Sequence, residues 1–492
     1  MNKIICLFFI AAFLFCLTAN ATFAFQAYDG KLDLKGSIQQ TLNIKTHQDE
    51  RDIRYNSFRT TVRGELLYKF KETPDLDLNF YTLANYYYDA ALEIDSNMRY
   101  SVRHEGGDSD KYRDVRRPRD SEEWLKETYF DLKYDDCRIK LGKQLVSWGE
   151  TAESRVADLI NPLDLKYIIA FPDWEDYKLG LWMARMFYSP QNMWQDLSFE
   201  LVVIPFNFVE TRYPPAGHGA FVGQPILGDG KMQKVLDSQR RDTPDESFKN
   251  LELGFRIKGY SNIGEGVDWY LSNFYTRLDS PIINGKSGMN RLIRLMLFNN
   301  PGGRVWTYPH YNSTAFSFST TASKIKSVIK GECALNTKRD YNYGKAANNA
   351  NEIKERNLLT TALTFDRKTM IPWLSEMNRN EPFNFSFTWY QYWLFNHEYD
   401  KRTGKYILGE TGRDSSLTKF TLSVNTSYFF STLIPAVNIA YETNGSSTIV
   451  GQLVYMPTFH WQFVAYYQQF NEAWGSDSRY GNQVGLSIKY DF

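Results

Sequence analysis

Residues 482–492 read NQVGLSIKYDF, and the alternation in this stretch decides the fold. Val484, Leu486, Ile488, Tyr490 and Phe492 fall on one face, and Gln483, Gly485, Ser487, Lys489 and Asp491 on the other. Successive side chains of an extended chain point to opposite sides, so this pattern marks a strand with one apolar face. The same two-faced pattern recurs upstream. Leu251, Leu253, Phe255 and Ile257 oppose Glu252, Gly254, Arg256 and Lys258; Ile325, Ile329, Cys333 and Leu335 oppose Lys326, Lys330, Glu332 and Asn336; Phe383, Phe385, Phe387 and Trp389 oppose Asn384, Ser386 and Thr388. A soluble sandwich would turn the polar faces to water, whereas a membrane barrel would turn them to its lumen. Strand count, connection length and the absence of free edges separate the two.

About 16–18 strands are expected, centred in the segments 31–44, 53–70, 76–89, 123–134, 137–147, 180–189, 196–205, 250–260, 267–277, 311–321, 324–337, 353–367, 383–396, 417–430, 434–443, 448–456, 459–470 and 481–492. Their connections alternate. Tight turns at 134–136, 262–266 and 456–458 lie on one side, and long polar loops at 90–122, 148–179, 206–249 and 278–310 on the other. Short turns at one end and long loops at the other are the pattern of an outer-membrane barrel, and an even strand count puts both chain ends on the turn side. The segment 368–382 is too long for a tight turn and interrupts the regularity. No repeat or linker is visible. The expected fold is therefore an all-β, transmembrane antiparallel β-barrel over 25–492, with a polar loop folded into its lumen.

The N-terminal MNKIICLFFIAAFLFCLTANATFA, with Lys3, an apolar run from Ile4 to Leu17 and small residues up to Ala24, reads as a secretory signal peptide over 1–24. Bulky Phe13, Leu14 and Phe15 before Cys16 argue against lipoprotein processing. No later apolar run reaches the ~20 residues of a membrane helix. Lys+Arg and Asp+Glu are equal at 57 each, so nothing calls for a nucleic-acid partner. Aromatic residues make up 16% of the chain, as expected where rings collect at membrane interfaces. Cys137 and Cys333 are too few for a disulfide framework.

Residues 141–164, LGKQLVSWGETAESRVADLINPLD, begin as a strand and become polar on all sides. A helix is expected to follow Glu150 and to stop at Asn161, because Pro162 disfavours helical geometry in the residue before it. It would present Glu150, Glu153, Arg155, Asp158 and Asp164 to the pore or to charged walls, with Gln144, Trp148 and Asn161 completing the constriction candidates. Trp148-Gly149-Glu150 reads as a ligand contact or as a latch. In the latch, Gly149 lets the chain leave the strand, Trp148 packs at the rim and Glu150 pairs with a basic wall residue. Asn161 and Asp164 read better as caps than as cation ligands. The loop stretches 104–110 and 113–120 match no calcium-loop spacing; the arginines of the second could take lipopolysaccharide phosphates. Arg256, Lys258, Lys326, Lys330 and Lys489, facing the lumen, form either an anion-steering ladder or, with Glu252, Glu332 and Asp491, a cross-strand ion-pair network.

The C-terminal strand with its final Phe resembles the assembly signal of bacterial outer-membrane barrels. LGKQLVSWGE, ADLINPLDL and NMWQDLSFELVVIP, followed by WTYPHYNSTAFSFST and IKGECAL, resemble in order the signature of the DUF1302 family (domain of unknown function) of bacterial outer-membrane β-barrel proteins. That resemblance is strongest across 140–205. Many relatives carry an acidic residue where His310 follows Pro309. The resemblance implies an exported barrel in contact with outer-membrane lipid and lipopolysaccharide. Some members are encoded beside inner-membrane exporters of hydrophobic molecules, which implies an exporter and periplasmic proteins as partners and an apolar cargo. For such a cargo, residues 219–228 and 292–298 are loop segments apolar enough to guide it. By analogy with general porins, the loop after the fifth strand folds inward and narrows the lumen.

No histidine pair has metal-binding spacing, and no Gly-x-Ser-x-Gly elbow is present. No cofactor or metal is expected. His397 and His460 with a strand serine are the candidates for hydrolysis. The expected function is non-enzymatic passage of a small, in one variant hydrophobic, molecule through a porin-like channel or transporter. The rivals are a plugged structural or assembly barrel partnering an envelope export complex, and an outer-membrane lipid hydrolase.

Overall fold

The computed structural model describes residues 25–27, 30–46, 53–73, 75–105, 116–118, 120–151, 155–166, 174–191, 196–205, 208–212, 244, 247–283, 306–345, 352–377, 381–471 and 482–492. Its barrel strands, in chain order, are β1 (Leu32–Lys45), β2 (Tyr55–Glu72), β3 (Leu76–Asp89), β4 (Leu125–Tyr134), β5 (Cys137–Gln144), β6 (Leu181–Tyr188), β7 (Ser198–Ile204), β8 (Glu252–Ser261) and β9 (Val267–Arg277). There follow β10 (His310–Ala322), β11 (Ser327–Gly344), β12 (Glu352–Thr369), β13 (Phe383–Leu394), β14 (Ser416–Asn425), β15 (Leu433–Glu442), β16 (Ser447–Tyr455), β17 (Trp461–Asn471) and β18 (Gln483–Asp491). Each pairs antiparallel with its chain neighbour. The ring closes where β1 meets β18, with Ser37 opposite Asp491 and Lys45 opposite Gln483. Closure removes the free edges that hydrocarbon would not tolerate.

The two faces of the strands part as the alternation requires. On β9, Leu271 and Tyr275 are exposed on the outside, while Ser272, Phe274 and Thr276 are buried inside. Phe130, Leu253, Phe255, Phe387, Leu422, Leu453, Val484 and Leu486 continue the exposed apolar band around the barrel. Such a band is the surface a transmembrane barrel offers to lipid tails. Leu271 lies near the middle of its strand, so Leu271→Arg is expected to destabilise the barrel by about 2–4 kcal/mol. Urea titration of protein folded into vesicles would measure it, with a loss below half a kilocalorie contradicting the lipid assignment.

Most turns gather at one end and most loops at the other, the short β15–β16 turn at 443–446 being an exception at the loop end. Asp135 adopts a left-handed φ of 51° in the β4–β5 turn, a conformation Asp tolerates. The interrupted segment before β13 holds a short helix, Pro372–Met377, at the turn end. The wall is uneven in height. β5 and β6 have 8 residues each, whereas β11 and β12 have 18 each. At about 3.3 Å per residue, the taller pair rises well past an apolar band of about 25 Å. Cys137 and Cys333, on β5 and β11, are both free.

Lys326 was expected on the inner wall, in a strand starting at 324. The structure corrects this: β11 begins at Ser327, and Lys326 is an exposed turn residue at a left-handed φ of 53°. The alternation cannot distinguish a turn lysine from an inward one, because both follow an apolar residue.

Candidate functional site

The chain enters the lumen where β5 ends at Gln144. Asn161, fully buried, ties the departing and returning limbs together. Its Oδ1 accepts the Val146 N–H at 2.7 Å, and its Nδ2 donates to the carbonyls of Gln144 (3.1 Å) and Leu179 (2.8 Å). Gln144 is itself buried and donates to the Met183 carbonyl at 3.1 Å. Pro162–Asp164 then runs against Tyr177–Leu179, with Asp164 N–H to Tyr177 O at 2.7 Å and Leu179 N–H to Pro162 O at 2.8 Å. On its other side it meets Arg212, whose N–H donates to Leu163 O at 2.7 Å. Gly180 closes the loop at a point where a Cβ would lie 2.1 Å from the Lys126 carbonyl oxygen.

These pairings replace the expected helix. Among the described residues, 155–166 contain no helical turn. The polar side chains are spent on tertiary hydrogen bonds that a solvent-facing helix would not offer, and Pro162 removes a donor. Glu153 lies outside the described residues. Asp164 accepts the Lys166 N–H at 3.2 Å and pairs with the Lys166 ammonium at 3.7 Å, and that ammonium also meets Glu123 at 2.8 Å.

Three anchors fix the loop, two of them to the wall and one within the loop itself. The first is Glu332 on β11. Its carboxylate accepts the backbone N–H groups of Glu150, Thr151 (2.6 Å) and Ala157 (3.2 Å). Next to it, Val156 and Ala157 pack against Ala315, Ala334, Ala362 and Tyr390. Three alanines on neighbouring strands thus leave a shallow bed for the loop. Gly149 matters here rather than as a strand exit: a Cβ would come within 3.1 Å of Glu332 Oε1.

The second anchor is Lys178, also fully buried. Its ammonium meets Asp158 at 2.7 Å and donates to Ser147 Oγ (2.7 Å) and Val146 O (3.0 Å). Arg155 braces the same turn through Asn161 O at 2.7 Å and lies 3.8 Å from Asp158.

The third is Trp148. The latch reading put it at the rim, but it is 2% exposed and packed in a lumenal cluster with Val146, Ile160, Leu181, Val202 and Phe274. Its Nε1 donates to Glu200 at 3.1 Å, and the Arg256 guanidinium lies 5.5 Å from its ring centroid. Glu200 in turn binds Arg185 at 2.7 Å and Arg256 at 2.8 Å. Glu150 meets no basic wall residue directly. The Lys258 ammonium instead lies 5.4 Å from the Tyr270 ring centroid.

The remaining wall candidates also occupy paired positions. Lys330 meets Asp366 at 2.9 Å, Lys489 meets Asp491 at 2.8 Å, and Glu252 accepts the Thr276 hydroxyl. The basic side chains therefore stand beside carboxylates rather than in an unbroken ladder. The inner surface carries alternating charge and tyrosine hydroxyls, which can discriminate solutes by charge and diameter. His397 and His460 sit at opposite ends: His397 Nε2 faces Gly412 O at 3.1 Å in a loop, and His460 Nδ1 faces Asp491 O at 2.8 Å in a turn. Among the described residues, no group of three or more His, Cys, Asp or Glu is placed to hold a metal ion. The apolar segments 219–228 and 292–298 lie outside the described residues.

Sequence reasoning missed Lys178, Glu200, Arg185 and Tyr390. One signal was present. Leu181, Met183, Val202 and Ile204 make β6 and β7 apolar on their inner faces too, which a water-facing wall does not need. Something had to cover them, and Trp148 and Ile160 do.

Among solved structures, OccK1 (OpdK) of Pseudomonas aeruginosa is 6% identical at a TM-score of 0.49, covering 94% of this chain and 98% of that one. OccAB4 of Acinetobacter baumannii is 11% identical at 0.49, with the same coverage. OmpF of Salmonella typhi, solved in complex with daunomycin, is 11% identical at 0.43, covering 95% of this chain and 100% of that one. No curated protein matches the chain. A family model described as "Protein of unknown function (DUF1302)" matches residues 14–492, and the chain belongs to that family.

Proposed function

We propose that the chain is an outer-membrane channel for small hydrophilic solutes, exported by its cleaved leader, with the turn end in the periplasm and the loop end outside. The observation that carries this reading is the docking of loop 145–180 onto Glu332 and Glu200 inside a closed barrel, with Lys178 bracing the loop internally. A segment fixed there narrows the lumen and sets its charge, so selection works through pore diameter and field rather than bond chemistry. Lipopolysaccharide and phospholipid would surround the apolar band. The paired charges of the described wall favour a hydrated solute over the lipid-like cargo that family association suggests.

Planar-bilayer recording tests the proposal. Discrete conductance steps are expected, and deleting 150–158 together with Lys178→Met should enlarge them. A folded, heat-resistant barrel that stays silent in both forms would favour the plugged assembly protein instead.

A further inference from the structure

The loop between β13 and β14, residues 395–415, folds back over the tall ends of the neighbouring strands β12 and β11 rather than standing away from them. Its short strand Lys405–Leu408 pairs with the tall end of β11, Asn342–Gly344, on the edge away from β12. Ile407, fully buried, packs with Tyr341, Leu358 and Leu394. Glu398 meets Lys354 at 3.3 Å and also pairs with Arg356, both on the tall end of β12. Beside these contacts, Arg339 of β11 holds Glu410 of the loop, Nη2 to Oε1 at 2.5 Å. The Arg339 guanidinium lies 5.1 Å from the Tyr341 ring centroid and 5.8 Å from that of Tyr311.

That ion pair is poorly matched. An arginine fork binds a carboxylate best through two parallel N–H···O bonds. Here Arg339 Nε and Glu410 Oε2 are both buried without a hydrogen-bond partner, as is the neighbouring Thr411 hydroxyl. Two charged groups thus each leave one polar atom unsatisfied, and burial makes that costly. The remainder of each side chain is 22% and 24% exposed, so a solute can meet the open edge of the pair and reaches Nε once Glu410 leaves. A free carboxylate lying flat against the fork would satisfy both Arg339 donors. It would also release Glu410 to water, where its second oxygen is solvated.

We infer that Arg339, flanked by Tyr311 and Tyr341, is a recognition site for a planar, carboxylate-bearing solute, and that Glu410 occupies it as an internal stand-in that keeps loop 395–415 docked on the tall wall. The inference rests on the channel reading for its meaning but not for its measurement. Binding displaces Glu410 and loosens the loop from the wall.

Titration calorimetry on the purified, detergent-solubilised full chain tests the site, with benzoate as probe and benzamide as its uncharged counterpart. Benzoate should bind and benzamide should not. Glu410→Gln removes the competing charge and should tighten benzoate binding about tenfold, since the competent state no longer has to be vacated. Arg339→Lys keeps the charge but loses the fork, and should weaken binding by about tenfold or more. Equal binding of benzoate and benzamide, or Glu410→Gln leaving benzoate affinity unchanged in a folded barrel, overturns the inference. Bilayer recording separates the two proposals. Benzoate binding with no conductance would sink the channel reading and leave the site standing. Conductance from a barrel that does not bind benzoate would sink the site and leave the channel.

Discussion

Replacing Glu332 by alanine is expected to undock loop 145–180 from the wall and to produce larger, noisier conductance steps from a barrel that remains folded. Its carboxylate accepts three backbone N–H groups, from Glu150, Thr151 and Ala157. Hydrogen bonds to a charged acceptor contribute about 1.5–3 kcal/mol each, and the alanine would leave three donors without it. The strand itself should survive, because β11 keeps its pairing with β10 and β12. Glu332→Gln sharpens the test. Glu150 and Thr151 both donate to Oε1, which the amide carbonyl can replace, whereas Ala157 donates to Oε2, where an amide NH2 would oppose another donor. The order of conductance should therefore be wild type, then Gln, then Ala. Steps of wild-type size from a folded Glu332→Ala barrel would show that the loop is held by other contacts.

The second large effect concerns the buried pair Lys178–Asp158. Removing Lys178 leaves Asp158 out of water with only the more distant Arg155, 3.8 Å away, at up to about 3–5 kcal/mol. Lys178→Met should therefore destabilise the docked loop, exposing it to protease in intact vesicles. Lys178→Met combined with Asp158→Leu replaces both charges with apolar groups and should recover most of the loss. Recovery should stop short of complete, because Val146 O and Ser147 Oγ also lose the ammonium donor. A double variant as protease-sensitive as the single one would show that the ammonium matters for those two acceptors rather than for Asp158.

The barrel was legible because its signal is local. Each strand declares its two faces within about ten residues, as β8 does with Leu253 and Phe255 against Gly254 and Arg256. Even the uneven lengths caused errors of only a few residues, with β11 running on to Gly344 past the Lys338 bulge. The loop was legible in composition but not in conformation. Its polar residues announced an unusual environment and suggested a helix. Local propensity gave way to partners distant in sequence: Glu332 lies 181 positions from Thr151, and Glu200 lies 52 from Trp148.

By itself, the chain's alternation determined two-faced strands, because side-chain direction along a strand depends only on its immediate neighbours, while strand number and connection lengths pointed to a barrel rather than a sandwich. Tertiary structure alone decided which carboxylate holds which backbone amide, that Lys326 ends in a turn while Lys178 is sealed inside, and that Glu410 folds back to Arg339. Those outcomes depend on three-dimensional distance and on burial, where an unpaired charge is costly and a paired one is tolerated, and neither quantity is written in the spacing of residues.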